Sequence, residues 1–151
     1  MTALWTAAAA AEATGGRVAG NWSATGISID SRTTEPGDLF VALTAERDGH
    51  DYAVAALKAG AVAVMIHRRP EGLPADAPCI EVGDTLEALR GLAADARARS
   101  AAKVLAITGS SGKTTTKDMA ATMLASLPGT VVHSAELSLN NHWGVPLTLA
   151  R

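Results

Sequence analysis

The stretch ITGSSGKTTTKDM, Ile107 to Met119, decides how this chain is read. A common phosphate-binding loop has the pattern G-x-x-x-x-G-K-[ST]. Counting back from Gly112-Lys113-Thr114, that pattern wants a glycine at 107, where isoleucine stands, and a glycine occurs instead at 109. The flanks support the loop. KVLAI before it reads as a short buried strand, and after it Met119, Met123 and Leu127 recur at i, i+4 and i+8 with Ala120 and Leu124 beside them, as on one face of a helix. A strand–loop–helix of this kind turns backbone N–H groups around phosphate oxygens, and the positive helix N-terminus adds to the field. Lys113 has the reach for β- and γ-phosphates, and the Thr114 hydroxyl is a ligand for Mg²⁺. Helix capping alone would explain Ser110, Ser111, Thr114 and Thr115, but not the lysine or the apolar strand before it.

The totals fit one ordinary domain or slightly more. The chain has 151 residues, of which 48% are hydrophobic, so wholesale disorder is excluded. With three Trp, one Tyr and one Phe, the core must be built mainly from Ala, Val, Leu and Ile. A net charge of −2 argues against a general nucleic-acid binder. The single cysteine, Cys79, excludes an internal disulfide, fits a reducing compartment and reads as core. The start ALWTAAAAAEATGG has no basic residue before its apolar run and is interrupted by Glu12, so it reads as a helix stopped at Gly15-Gly16 rather than a signal peptide. No run approaches membrane-spanning length. These features together predict a soluble, cytoplasmic protein.

Working outward, two blocks appear. In residues 1–100, GISIDSR is a short strand leaving into a turn, and TTEPGDLFVAL is a turn feeding a strand at Leu39 to Leu43. DYAVAALKAG is a helix stopped by Gly60, and AVAVMI and CIEV are strands. DTLEALRGLAADARARS is a helix with Leu86, Leu89, Ala93 and Ala96 on one face. This alternation predicts an α/β domain. Residues 101–151 hold the loop, a second possible strand at TVVHS, and NNHWGVPLTLAR, with Pro146 in the first turn of a final helix. A parallel β-α-β unit of this length leaves strand edges and helix faces uncovered, so the second block is expected to be the start of a larger domain.

Three further places carry polar chemistry. Ser31 and Arg32, at a strand end, suit a diphosphate through a hydroxyl and a charge-assisted bond, although a plain strand–turn–strand reading explains them as well. In ERDGHDY, Asp48-Gly49 signals a turn, and His50 or Asp51 can cap the next helix; a lone histidine there is more often structural than a ligand contact. Asn140 and Asn141 either cap the last helix or bind substrate oxygens, and spacing does not choose between these.

Taken together, DSRTTEPGDLFVAL, DGHDY, AVAALKAGAVAVMI and TGSSGKTTTKDM resemble the Mur ligases, the ATP-dependent amide-forming enzymes of peptidoglycan synthesis. The family's ATP loop, T-G-[ST]-x-G-K-[ST], puts its first glycine where Gly109 stands, so Ile107 is no defect. Lys117-Asp118 and NNHWGVPLTLAR resemble the branch that adds D-alanyl-D-alanine. The resemblance implies a small mixed-sheet, UDP-sugar-binding N-terminal domain over 1–100, then the truncated start of a P-loop ATPase-type central domain over 101–151. It implies ATP and Mg²⁺ as cofactors, with UDP-N-acetylmuramoyl-tripeptide and D-alanyl-D-alanine as substrates. ATP would phosphorylate the tripeptide's terminal carboxylate, and the dipeptide amine would attack the acyl phosphate. Gly109, Ser110, Ser111, Gly112, Lys113, Thr114 and Thr115 would hold the phosphates, with Lys113 catalytic and Thr114 on the metal. Ser31, Arg32, Asp48, Gly49, His50, Asn140 and Asn141 would lie at or near the substrate. Other parts supply the rest of the family's catalytic apparatus, so residues 1–151 alone are expected not to ligate. Three alternatives stay open: the family's third-residue amino-acid adder, a non-catalytic UDP-sugar-binding module with a vestigial loop, and a generic P-loop kinase, which leaves the first hundred residues unexplained.

Overall fold

The structure is a computed structural model that describes residues 3–45, 47–135 and 141–151. It is mixed α/β. Its centre is a five-stranded sheet in the order β2 (Arg17–Ala19), β7 (Cys79–Glu81), β6 (Ala63–Ile66), β5 (Asp38–Val41), β4 (Gly26–Ser28). The pairs β4–β5, β5–β6 and β6–β7 are parallel, and β2 lies antiparallel on β7. A two-stranded antiparallel ladder of β1 (Trp5–Thr6) and β3 (Ser23–Ala24) sits apart from it.

The central strands carry apolar residues on both sides, Leu39, Phe40 and Val41 in β5 and all four residues of β6, because both faces are covered there. Successive side chains alternate between two cores. Leu39, Val41, Ala63, Met65 and Ile80 join the cluster built by α1 (Ala7–Thr14) and α3 (Thr85–Arg99). Phe40, Ala42, Val64, Ile66 and Cys79 join a second cluster with α2 (Ala53–Ala59). Each buried Leu or Ile contributes roughly 1.5–3 kcal/mol. Gly15 and Gly60 take the left-handed conformation that ends α1 and α2 at the expected residues.

Helix α3 starts where Asp84 accepts hydrogen bonds from the Leu86 and Glu87 N–H groups at 2.8 and 2.9 Å. Its buried stripe is Thr85, Ala88, Leu89, Leu92 and Ala93. The expected face included Leu86 and Ala96, which are half-buried, and omitted Ala88 and Leu92. The reason is tertiary. α3 packs against α1 on one side and α5 (Gly144–Ala150) on the other, and the Thr85 hydroxyl donates to the Ala42 carbonyl at 2.8 Å, setting the helix's rotation. At the α1 crossing, a Cβ added to Gly91 would lie 2.5 Å from the Ala13 carbonyl oxygen, so only glycine permits the approach.

Helix α5 packs on the first block. The Trp5 indole N–H donates to the Ala150 carbonyl at 2.9 Å, Arg151 Nε donates to the Ile27 carbonyl at 3.0 Å, and Leu147 is buried. By contrast, α4 (Lys113–Ala125) buries no residue, and Met119, Met123 and Leu127 on its expected core face are exposed. The strands expected at KVLAI and TVVHS do not form: Val104, Leu105 and Val131 are exposed, and neither segment has a partner strand among the described residues. An isolated strand leaves its ladder groups to water and gains nothing over coil.

Candidate functional site

The parallel strands β4, β5 and β6 all end on one edge of the sheet, the place where open α/β sheets bind ligands. Three loops meet there. The first follows β4. Asp30 accepts from the Arg32 backbone N–H at 3.0 Å and from its guanidinium at 2.5 to 3.1 Å. These bonds pull the Asp30 carboxyl down to about 2. The Thr33 and Thr34 hydroxyls donate to the Asp30 carbonyl, and the Thr34 hydroxyl is hydrogen-bonded to Ser28. This network holds Ser31 at the loop's turn, half-buried, with Arg32 exposed beside it.

The second loop follows β5. Its tip is a tight turn: Gly49 donates its N–H to the Leu43 carbonyl at 2.9 Å, and a Cβ at Gly49 would meet Leu43 backbone atoms at 2.8 Å. Asp48 caps the 3-10 turn Gly49–Tyr52 by accepting from the His50 N–H, whereas α2, the helix that His50 or Asp51 was expected to cap, starts after Tyr52 with no side-chain cap. The third loop follows β6 and brings His67 and Arg68. Arg68 Nη2 donates to Asp48 at 2.5 Å and lies 3.6 Å from Asp51. The sequence reading missed Arg68; its signal was a basic pair, Arg68-Arg69, directly after an apolar strand. Desolvation works against the Asp48 charge, but the hydrogen bonds from Arg68 and His50 outweigh it and hold the carboxyl well below its ordinary value. Burial pushes the His50 ring below the ordinary histidine value, against the pull of Asp48.

Ser31, Arg32, Asp48, Gly49 and His50 therefore share one edge. A cleft of about 600 Å³ runs from the first loop along β4 to α5, with Ile29, Asp30, Thr33, Trp143, Leu147 and Arg151 in its walls. Asn141 caps α5, accepting from the Trp143 and Gly144 N–H groups at 3.3 and 2.7 Å. Asn140 lies outside the described residues.

At the loop of residues 109–115, Gly112 adopts φ 75°, a left-handed conformation open to glycine, and precedes α4 with no side-chain cap on the helix. Lys113 curls back so that its Nζ donates to the Gly109 carbonyl at 2.6 Å. Ser110, Ser111, Thr114 and Thr115 are exposed around it. Lys117 reaches the Ala135 carbonyl at 2.5 Å and Asp118 at 3.0 Å. An ammonium folded over the loop, exposed hydroxyls and a helix start without a side-chain cap fit the phosphate end of a nucleotide.

Two family models match, one described as Mur ligase family, catalytic domain, over residues 23–97, and one as Mur ligase middle domain, over residues 107–151. The chain belongs to the Mur ligase family. The UDP-N-acetylmuramoyl-tripeptide–D-alanyl-D-alanine ligase of Synechocystis sp. is 43% identical over 124 residues, which is 82% of this chain and 27% of the relative. A crystal structure of MurF from Acinetobacter baumannii matches with a TM-score of 0.80 at 36% identity, covering 97% of this chain and 32% of that one. A MurF ligase from Thermotoga maritima, solved in complex with ADP, matches with a TM-score of 0.58 at 29% identity, over 83% of this chain and 28% of its own. This Mur ligase chain thus spans about a quarter to a third of the length of the relatives it matches.

Proposed function

We propose that residues 1–100 form the UDP-muramoyl-binding unit, and residues 101–151 the ATP-loop region, of a cytoplasmic ligase. It joins D-alanyl-D-alanine to UDP-N-acetylmuramoyl-tripeptide. The observation that carries this reading is that likeness to a single solved MurF runs through 97% of the chain, across both blocks. ATP, when bound, supplies the phosphoryl group that turns a poor electrophile, the tripeptide carboxylate, into an activated acyl group. The chain's own residues do the rest of what is assigned here. Backbone N–H groups of Gly109, Ser110, Ser111 and Gly112, with the Lys113 ammonium, hold the phosphates and offset their charge; Thr114 offers its hydroxyl to Mg²⁺, with Thr115 beside it. Ser31 and Arg32 face the diphosphate of the UDP-sugar, and the loop through Asp48 and Gly49 borders it. The motif assigns Asn140 and Asn141 to substrate binding, and Asn141 also sets the start of α5.

In a ligase carrying these residues with the family's remaining regions, ADP formation should require both UDP-N-acetylmuramoyl-tripeptide and D-alanyl-D-alanine. Lys113→Ala should abolish it while leaving affinity for the UDP-tripeptide intact. ADP formation driven instead by lysine or diaminopimelate on a UDP-muramoyl-dipeptide would transfer the assignment to the third-residue adder. The 151-residue chain by itself should release phosphate far more slowly than such a ligase.

A further inference from the structure

We propose that His50 is a positioning residue: its ring bolts the loop after β5 to the end of β6 and never touches the ligand. This rests on the reading above, that the loops at this edge hold the UDP-sugar. The ring is fully buried. Its Nε2 accepts from the His67 backbone N–H at 3.1 Å. A backbone N–H can only donate, so Nε2 carries the lone pair and the ring proton sits on Nδ1. Nδ1–H then donates to Asp48 Oδ1 at 2.6 Å. Arg68 holds the other Asp48 oxygen at 2.5 Å. The His67 ring packs edge-on against His50 with centroids 4.1 Å apart. Both nitrogens of His50 are committed, one to its own loop and one to the neighbouring strand end. Asp48 is gripped from both sides. The Gly49 turn is thereby placed against the sheet edge, with its N–H on Leu43. The spacing in DGHDY suits this arrangement: Asp48 and His50 lie two apart around a glycine that alone fits the turn.

The test compares His50→Ala and His50→Gln with the parent chain, by calorimetry with UDP-N-acetylmuramoyl-tripeptide and by amide exchange. Gln presents an oxygen that can accept from the His67 N–H, but has no ring to fill the site. Removing a buried hydrogen-bond partner should weaken ligand binding roughly tenfold in His50→Ala. Exchange should speed up at Gly49 and His67 and stay unchanged in α4. His50→Gln should recover protection at His67 and part of the affinity, a rescue that loss of packing alone would not give. Parent-like affinity in His50→Ala overturns the proposal, as does unchanged protection at both amides. If His50→Ala does not fold, a folded His50→Gln with an unprotected His67 amide overturns it. A parent chain that binds no UDP-tripeptide defeats the site assignment instead, and the exchange measurements then decide the clamp by themselves.

Discussion

His50 shows how one buried ring sets a pH window. Its folded-state value lies below the ordinary histidine value because burial disfavours the cation, while Asp48 pulls the other way and His67 and Arg68 add to the lowering. As pH falls through about 6.5, the unfolded chain takes up a proton that the folded chain refuses. Stability should therefore drop as pH is lowered from 7 toward 5, and denaturant midpoints measured across that range check it. His50→Gln should flatten this part of the profile. Asp30 acts in a separate, lower window. Its carboxyl is held at about 2 by Arg32, so its contribution is present above the ordinary aspartate range and fades as pH falls from about 4 toward 2. Gly49 is limited by space. Gly49→Ala places a methyl 2.8 Å from backbone atoms of Leu43 and should cost about 1–3 kcal/mol in denaturant unfolding. A variant as stable as the parent would show that the turn moves freely.

At the level of elements, the crossing of α1 and α3 gives a prediction whose sign separates propensity from packing. Alanine is the better helix former by about 1 kcal/mol. Yet Gly91→Ala would drive a Cβ to 2.5 Å from the Ala13 carbonyl oxygen, and backbone cannot yield as a side-chain tip can. The variant should be destabilised by about 1–3 kcal/mol on thermal or urea unfolding; a stabilised Gly91→Ala would mean the helices simply separate. Helix α5 depends on packing more than on its own seven residues, too few to hold a helix in water. Leu147, 1% exposed, is its anchor. Leu147→Ala should cost about 2–5 kcal/mol and release protection of the α5 amides before that of α3.

For the molecule as a whole, packing is uneven: the sheet with α1, α2, α3 and α5 holds both buried clusters, while α4 and the segment before it present apolar side chains to solvent. Met123, 69% exposed, should tolerate Met123→Lys within about 0.5 kcal/mol, whereas Leu89→Ala should cost about 2–5 kcal/mol; comparing their melting temperatures checks the division. Much of this was legible from residues alone. Strand AVAVMI, the stops at Gly15 and Gly60 and the Gly109–Thr115 loop were readable because each depends on neighbours within a few positions: a run of apolar residues, a left-handed glycine, a lysine next to a glycine turn. The two short strands at Trp5–Thr6 and Ser23–Ala24 were not readable, since two-residue segments carry no period and exist only through pairing with each other. The KVLAI strand failed for the converse reason: its apolar pattern is right, but no neighbour accepts its backbone groups among the described residues. The sequence by itself determined the α/β alternation, the glycine–lysine turn that leads into α4 and the polar residues bound for the sheet edge. Only the tertiary structure decided which way they point. It turned His50 inward onto His67 and Asp48, brought in Arg68 from the loop after β6, and laid α5 on the first block through Trp5 and Ile27. Apart from the His50–Asp48 pair, those contacts join residues 17 to 145 positions apart, and no local spacing encodes a partner at that distance.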